Sequence, residues 1–357
     1  MQSSTTKTLM SKKRFAGGST ASGQWIHSKT GYILFLLILA ALLIVSALIA
    51  VGVGIAGGSV SELIHALLHL DLSTSLSQIM LEMRLPRVAA ACITGAAFAL
   101  SGTVMQGITR NPLADAGLLG INAGACFAVT LCTAFLPTLS YNGLMGAAFL
   151  GATVAALIVY GFGAKMKKAD PIRLILAGSA VSSFLTALRQ GIYLAFGLCK
   201  DLSFYRAGSL SGIIWPQVKA VTPWLLIAVI IGLLLAPKLS ILALGDESAS
   251  GLGVNVGLVR AFGLFAVLLL AGASVSLVGG ISFVGIIIPH VARKLVGADY
   301  RRLAPAAALM GAVLLVLSDV AARMLQAPFD TPTGALVSVI GVPIFLLLTY
   351  RNRGTKL

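Results

Sequence analysis

The sequence predicts an all-α fold, a polytopic membrane protein with ten transmembrane helices. Three observations carry that expectation. Hydrophobic residues make up 58% of the 357-residue chain and charged residues only 10%, too little polar surface to cover a water-soluble globule of this size. Apolar stretches of roughly 20 residues, the length that crosses a bilayer, recur along nearly the whole chain. Short polar or Gly/Pro-rich joints separate them.

Residues 1–30, rich in Ser, Thr, Gly and Lys, read as a flexible cytoplasmic tail, and 31–357 as a single ten-helix domain. The first span, 32–53, follows Lys12, Lys13 and Arg14 but is too long for a cleaved secretory signal, whose apolar run is about 7–15 residues. Beyond it, SELIHALLHL carries His65 and His69 four apart, and its apolar period favours an interfacial amphipathic helix over a metal site. The second span, 88–106, is entered through Arg84 and Arg87 and left through Arg110, Asn111 and Pro112. The third to sixth follow at 118–136, 143–162, 172–196 and 221–239. A joint at 242–258 then holds two short helical pieces, 246–252 and 255–258, around a hinge at Gly251 and Gly253. The seventh to tenth spans lie at 259–277, 281–296, 303–325 and 334–350. Many of the 39 glycines sit inside spans, where small residues let helix backbones approach closely and imply a tight bundle.

A net charge of +15 raises the question of nucleic acid, but that reading needs the basic residues on one face, and here they are spread over the joints. With the N-terminus placed in the cytoplasm, most of the 26 Lys and Arg fall on the inner side, so the positive-inside rule gives both termini as cytoplasmic. Cys92, Cys126, Cys132 and Cys199 show no CxxC spacing, and no disulfide or metal framework follows from them.

Carboxylates avoid the span centres, which speaks against a self-sufficient ion-coupled carrier. Asp319 is the exception, and with Arg323 four residues on, a helix-end hydrogen-bonding role outweighs a proton site. An external energy source is therefore favoured. The chain nowhere contains GxxxxGK[ST], so it is not expected to bind ATP itself. No nucleophile–base set or carboxylate pair shares a plausible site, and the chain reads as a non-enzyme.

Several motifs occur in one order: RLPR at 84–87, Gly95-Ala96-Ala97, Ser101-Gly102, Gln106, RNPLAD at 110–115, LGINAGA, GSL at 208–210, LGDESASGLGVNVG, GGISFVGIIIPHVAR at 279–293, SDVAAR at 318–323 and PTGALVSVIGVPIFLLL at 332–348. Together they resemble the FecCD family, the permease subunits of ABC importers for iron-siderophores, haem and vitamin B12. The resemblance implies the ten-helix B12-permease fold and a bacterial plasma-membrane location. It also implies a second permease subunit, two cytoplasmic ATPase subunits that bind ATP and Mg, and an extracytoplasmic substrate-binding protein. Cargo would be a ferric siderophore, with haem or cobalamin as the alternative.

By the same resemblance Arg84, Arg87 and Arg323 dock the binding protein, since a guanidinium gives oriented bonds to carboxylates. Gly245, Asp246, Glu247, Ser248, Ala249, Gly251, Leu252, Gly253 and Val254 would couple to the ATPase. Gln106, Arg110, Asn111, Pro112, Asp115, Pro289 and His290 are taken as structural landmarks, with His290 a satisfied structural histidine. The fifth and tenth spans would line the route, a mostly apolar surface suited to a bulky chelate and not to a bare metal ion. The chain departs from the family at Ala116, where proline is common, and at Asp330, where glutamate is frequent.

Overall fold

The computed structural model describes residue 26 and residues 28–53, 75–117, 120–164, 171–197, 208–327 and 329–353. His65, His69, Cys199 and most of the expected tail lie outside the described residues. Within them the chain is helical, with no strand: α1 Lys29–Gly52, α2 Leu85–Thr109, α3 Ile121–Phe135, α4 Tyr141–Ala164, α5 Pro171–Ala195, α6 Trp215–Leu242, α7 Asp246–Gly251, α8 Val256–Val278, α9 Val284–Val296, α10 Tyr300–Leu325 and α11 Thr333–Arg353. Each apolar stretch of the sequence falls on one of these helices, and α7 is the short piece in the 242–258 joint. Six helical segments among the described residues are long and apolar enough to cross a membrane, and α3 and part of α11 are shorter apolar helices.

The surface is that of a protein bathed in lipid. Leu37 and Ile44 of α1 are 62% and 61% exposed, and large apolar side chains are likewise exposed on α4, α5, α6 and α11. The core forms around α2, which packs against α10, α8, α6 and α9. Three glycine-on-glycine crossings set the closeness of that packing. At Gly95 with Gly311, Gly124 with Gly151 and Gly102 with Gly285, a Cβ on either partner would run into the backbone or side chains of the opposing helix. Dispersion between touching backbones supplies the attraction that the hydrophobic effect cannot supply within a bilayer.

Proline explains the entry to α2. Pro86 has no N–H, so the helix before it widens into π-helical turns over Ile79–Arg84, with the Leu85 amide donating five residues back to the Met80 carbonyl. In that register the Leu81 carbonyl would need the amide that Pro86 lacks. The Trp215 indole N–H takes it instead, at 2.9 Å, tying α6 to the start of α2.

The Ile26 amide donates to the Leu295 carbonyl at 3.2 Å, and Ser28 caps α1, accepting from the Gly31 amide. Two boundaries differ from expectation. The eighth span begins at Val284 instead of 281, because α8 ends on Gly279 at φ +73° and the chain bends through Phe283 at φ +71° before α9 starts. The second helical piece of the joint is the first turn of α8, capped by Asn255, and the hinge is Gly253 at φ +79°, while Gly251 is helical.

The GSL joint ties two bends together. The Ser209 amide donates to the Val278 carbonyl at 3.0 Å, and the Gly208 carbonyl accepts from the Gly334 amide at 2.8 Å. This strip thereby fastens the end of α8 to the start of α11.

Candidate functional sites at the two ends of the bundle

At the end that carries α7, the landmark residues form one connected unit. Pro289 sits inside α9 and leaves the Gly285 carbonyl, four residues back, without its helical donor. The Gln106 side-chain N–H fills the vacancy at 3.2 Å, and its Oε1 accepts from Arg293 at 2.9 Å. Gln106 thus joins α2 to both the proline break and the basic end of α9. Next to Pro289, the buried His290 Nε2 has no hydrogen-bond partner among the described residues.

The RNPLAD loop follows directly. Arg110 ends α2 in the left-handed region at φ +52°, and the Asn111 Oδ1 accepts from the Leu113 amide at 3.0 Å, an Asx turn. Asp115 is buried against Gly285, where a Cβ would have no room, and its Oδ2 accepts from the Gly117 amide at 3.2 Å. Burial pushes its carboxyl up to about 6, with the Gly117 and Ala116 amides pulling the other way. The departure at Ala116 now has a physical content, since proline there could offer Asp115 no N–H.

This loop reaches the joint expected to couple to an ATPase. Asp246, the first residue of α7, accepts from Arg260 at 3.0 Å and lies 3.8 Å from Arg110. Arg260 also donates to the Ile108 carbonyl at 3.2 Å. One carboxylate therefore holds α7 to the ends of α2 and α8. Sequence reading placed Arg110 among the landmarks and passed over Arg260, although an arginine one helical start beyond Asp246 was a visible charge complement.

At the opposite end the three arginines expected to dock a binding protein make most of their contacts within the chain. Arg84 and Arg87 are 7% and 9% exposed. Arg84 donates to the Val51 and Gly52 carbonyls at 2.9 and 3.1 Å, and Arg323 to those of Ala50 and Val53 at 2.8 and 3.3 Å. The last carbonyls of α1 lack intrahelical donors and carry the negative end of the helix dipole, so two guanidinium groups cap it.

Arg87 grips carboxylates of its own chain. Its Nε and Nη2 donate to Asp319, at 2.9 to 3.1 Å, and its Nη1 to Asp330 at 3.0 Å. Asp319, 1% exposed, also accepts from Thr333 at 3.2 Å and lies 3.2 Å from the Arg323 Nε, close enough for an ion pair but not aligned for a hydrogen bond. The expected helix-end role of Asp319 beside Arg323 holds, and Arg87 is the partner that sequence spacing could not reveal. Asp330 accepts from the Ser211 hydroxyl at 2.6 Å. Burial raises its carboxyl, but the Ser211 hydroxyl and the Arg87 cation outweigh that and hold it below the usual range. All three arginines, with Glu82, Asp330 and Ser211, border a cavity of about 580 Å³.

A lipid-faced helical bundle with close glycine crossings and a polar apparatus at each end is the architecture of a polytopic membrane transport protein. Comparison with known proteins narrows this. The profile of the FecCD transport family matches residues 38–351. The chain is 42% identical over 335 residues to the iron(3+)-hydroxamate import system permease protein FhuB of Bacillus subtilis, covering 92% of this chain and 86% of that protein. It is 41% identical over 276 residues to the Fe(3+) dicitrate transport system permease protein FecC of Escherichia coli, covering 76% and 83%. A solved metal-chelate type ABC transporter in an inward-facing conformation superposes with a TM-score of 0.78 at 31% identity, over 90% of this chain and all of that one. The chain belongs to the FecCD transport family. It is a multi-pass membrane permease, a transport subunit and not an enzyme.

Proposed function

We propose that the chain is the permease subunit of an ATP-driven ABC importer that takes up iron(III)-siderophore complexes by alternating access. It crosses a bacterial plasma membrane ten times with both termini in the cytoplasm. It works with a second permease subunit, two cytoplasmic ATPases that bind ATP and Mg, and an extracytoplasmic binding protein. The observation that carries this reading is the course of α2, which runs from Arg87 in the charged network at one end to Arg110 beside Asp246 at the other. A helix clamped by glycine crossings along its length moves as a rod, so a ligand-loaded partner at one end and an ATPase at the other would act on the same element.

In this reading α7 and the residues from Gly245 to Val254 seat in the ATPase. The network of Arg84, Arg87 and Arg323 shapes the outer rim where the binding protein docks. The paired state of Asp319 favours this over an ion-coupled carrier, which needs a carboxylate available to the coupling ion. The iron cargo follows the relatives, among them permeases of iron(3+)-hydroxamate, Fe(3+) dicitrate and hemin transport systems.

The test is uptake of radiolabelled iron(III) chelate into proteoliposomes holding the assembled complex, with and without ATP. Uptake that needs ATP is expected, and Asp246→Arg, which places three cations together, is expected to lower it at least about tenfold. ATP-independent uptake would contradict the reading, and wild-type uptake by Asp246→Arg would remove α7 from the coupling path.

A further inference from the structure

A charged group stands deep in the bundle with no part in either end. Three contacts between α3 and α5 mark successive depths. Phe135 meets Phe196 edge-to-face at 4.8 Å, Thr130 donates to the Tyr193 hydroxyl at 3.1 Å, and Arg189 reaches the Cys126 thiol. Cys126 lies nine residues below Phe135 along α3, about 14 Å at 1.5 Å per residue. In a hydrocarbon layer of about 30 Å that is close to mid-depth. A snorkelling arginine would point its head toward the nearer interface. Arg189 instead lies 6.0 Å from the Tyr193 ring and gives its head to the Cys126 thiol on α3.

Among the described residues no carboxylate forms an ion pair with Arg189. One turn further in from Cys126, the buried Asn122 Oδ1 has no hydrogen-bond partner among the described residues. Beside Arg189, α5 carries Ser179, Ser183, Thr186 and Gln190, spaced four, three and four apart on one helix face and all exposed on this chain. Hydroxyls and amides in a row at membrane depth belong against water or a polar solute, not against lipid tails.

We propose that Arg189 and the hydroxyl stripe of α5 form a station on the translocation route for a ferric chelate of net negative charge, one presenting carboxylate oxygens. The inference rests on the import reading above. A guanidinium within the membrane with no carboxylate partner among the described residues is costly until an anion arrives, and its N–H fork then gives paired, charge-assisted bonds to carboxylate oxygens. Ser183 and Thr186 add hydroxyl donors that can exchange from one oxygen to the next. A neutral chelate of the same bulk would fit the route and gain nothing from the cation, so the station selects by charge.

The test uses the complete importer in proteoliposomes with ATP inside, and two probes: iron(III) dicitrate, which is anionic, and a neutral iron(III) trihydroxamate. The wild type is expected to favour the anionic probe. Arg189→Gln is expected to lower the ratio of anionic to neutral uptake about ten- to a hundredfold, the loss of one to two charge-assisted bonds, and Arg189→Lys to keep most of it. A wild type that carries the neutral probe as well as the anionic one overturns the station, and so does an unchanged ratio in Arg189→Gln. Absence of ATP-driven uptake of either probe by the wild type would overturn the import reading itself.

Discussion

Gln106 shows how one side chain becomes indispensable through the backbone of another helix. Proline at 289 deprives the Gly285 carbonyl of a donor, and the Gln106 amide restores it while accepting from Arg293. Gln106→Ala leaves the buried Gly285 carbonyl without its donor and takes one partner from Arg293, and should lower stability by about 1–3 kcal/mol, read as a drop in the unfolding midpoint in detergent. Asp115 makes a second prediction at this scale. Its folded carboxyl titrates near 6, above its ordinary value of 3.8. A raised folded value means that the group's favourable contribution is complete below 3.8 and is lost as pH rises through about 6. Asp115→Asn, neutral at every pH and still able to accept from Gly117, should therefore gain stability relative to wild type between pH 4 and pH 7. A midpoint difference that stays flat across that range would mean Asp115 is not buried as a titrating acid. The identities of both residues were legible as motif positions, but their tasks were not, because each answers to a glycine far away in sequence.

At the scale of elements, the charged network decides how α1, α2, α10 and the 330 loop meet. Arg87→Met leaves Asp319 buried with Arg323 poorly aligned to it, a loss of about 3–5 kcal/mol, while Arg87→Met with Asp319→Leu should recover most of that. Thermal unfolding of the two variants checks it, and equal losses would mean the pair does not act as a unit. The span pattern was legible because apolar length is a local property, and so were α7 and the glycine stripes. The direction of Arg84, Arg87 and Arg323 was not. From sequence they are cations at span ends, equally suited to a partner or to lipid headgroups, and it takes the arrangement of α1 to show orphan carbonyls waiting for two of them. The break before α9 was likewise hidden, since Phe283 in a left-handed conformation has no local signature.

For the whole molecule, fold and family follow from composition and motif order, whereas assembly is a property of surfaces that this chain only half supplies. The large apolar faces of α4, α5 and α11 and the exposed α7 are complete only against lipid and partners. As one subunit of an ATP-driven importer, this chain should be held by its partners in the native membrane. The most direct test is affinity purification of the tagged chain from its native membrane in mild detergent, with every co-purifying protein identified and its stoichiometry measured. Two permease subunits with two ATPases, and a binding protein recovered when ligand is present, is the expected result. Recovery of the chain alone from membranes that still take up iron chelate without ATP would contradict it.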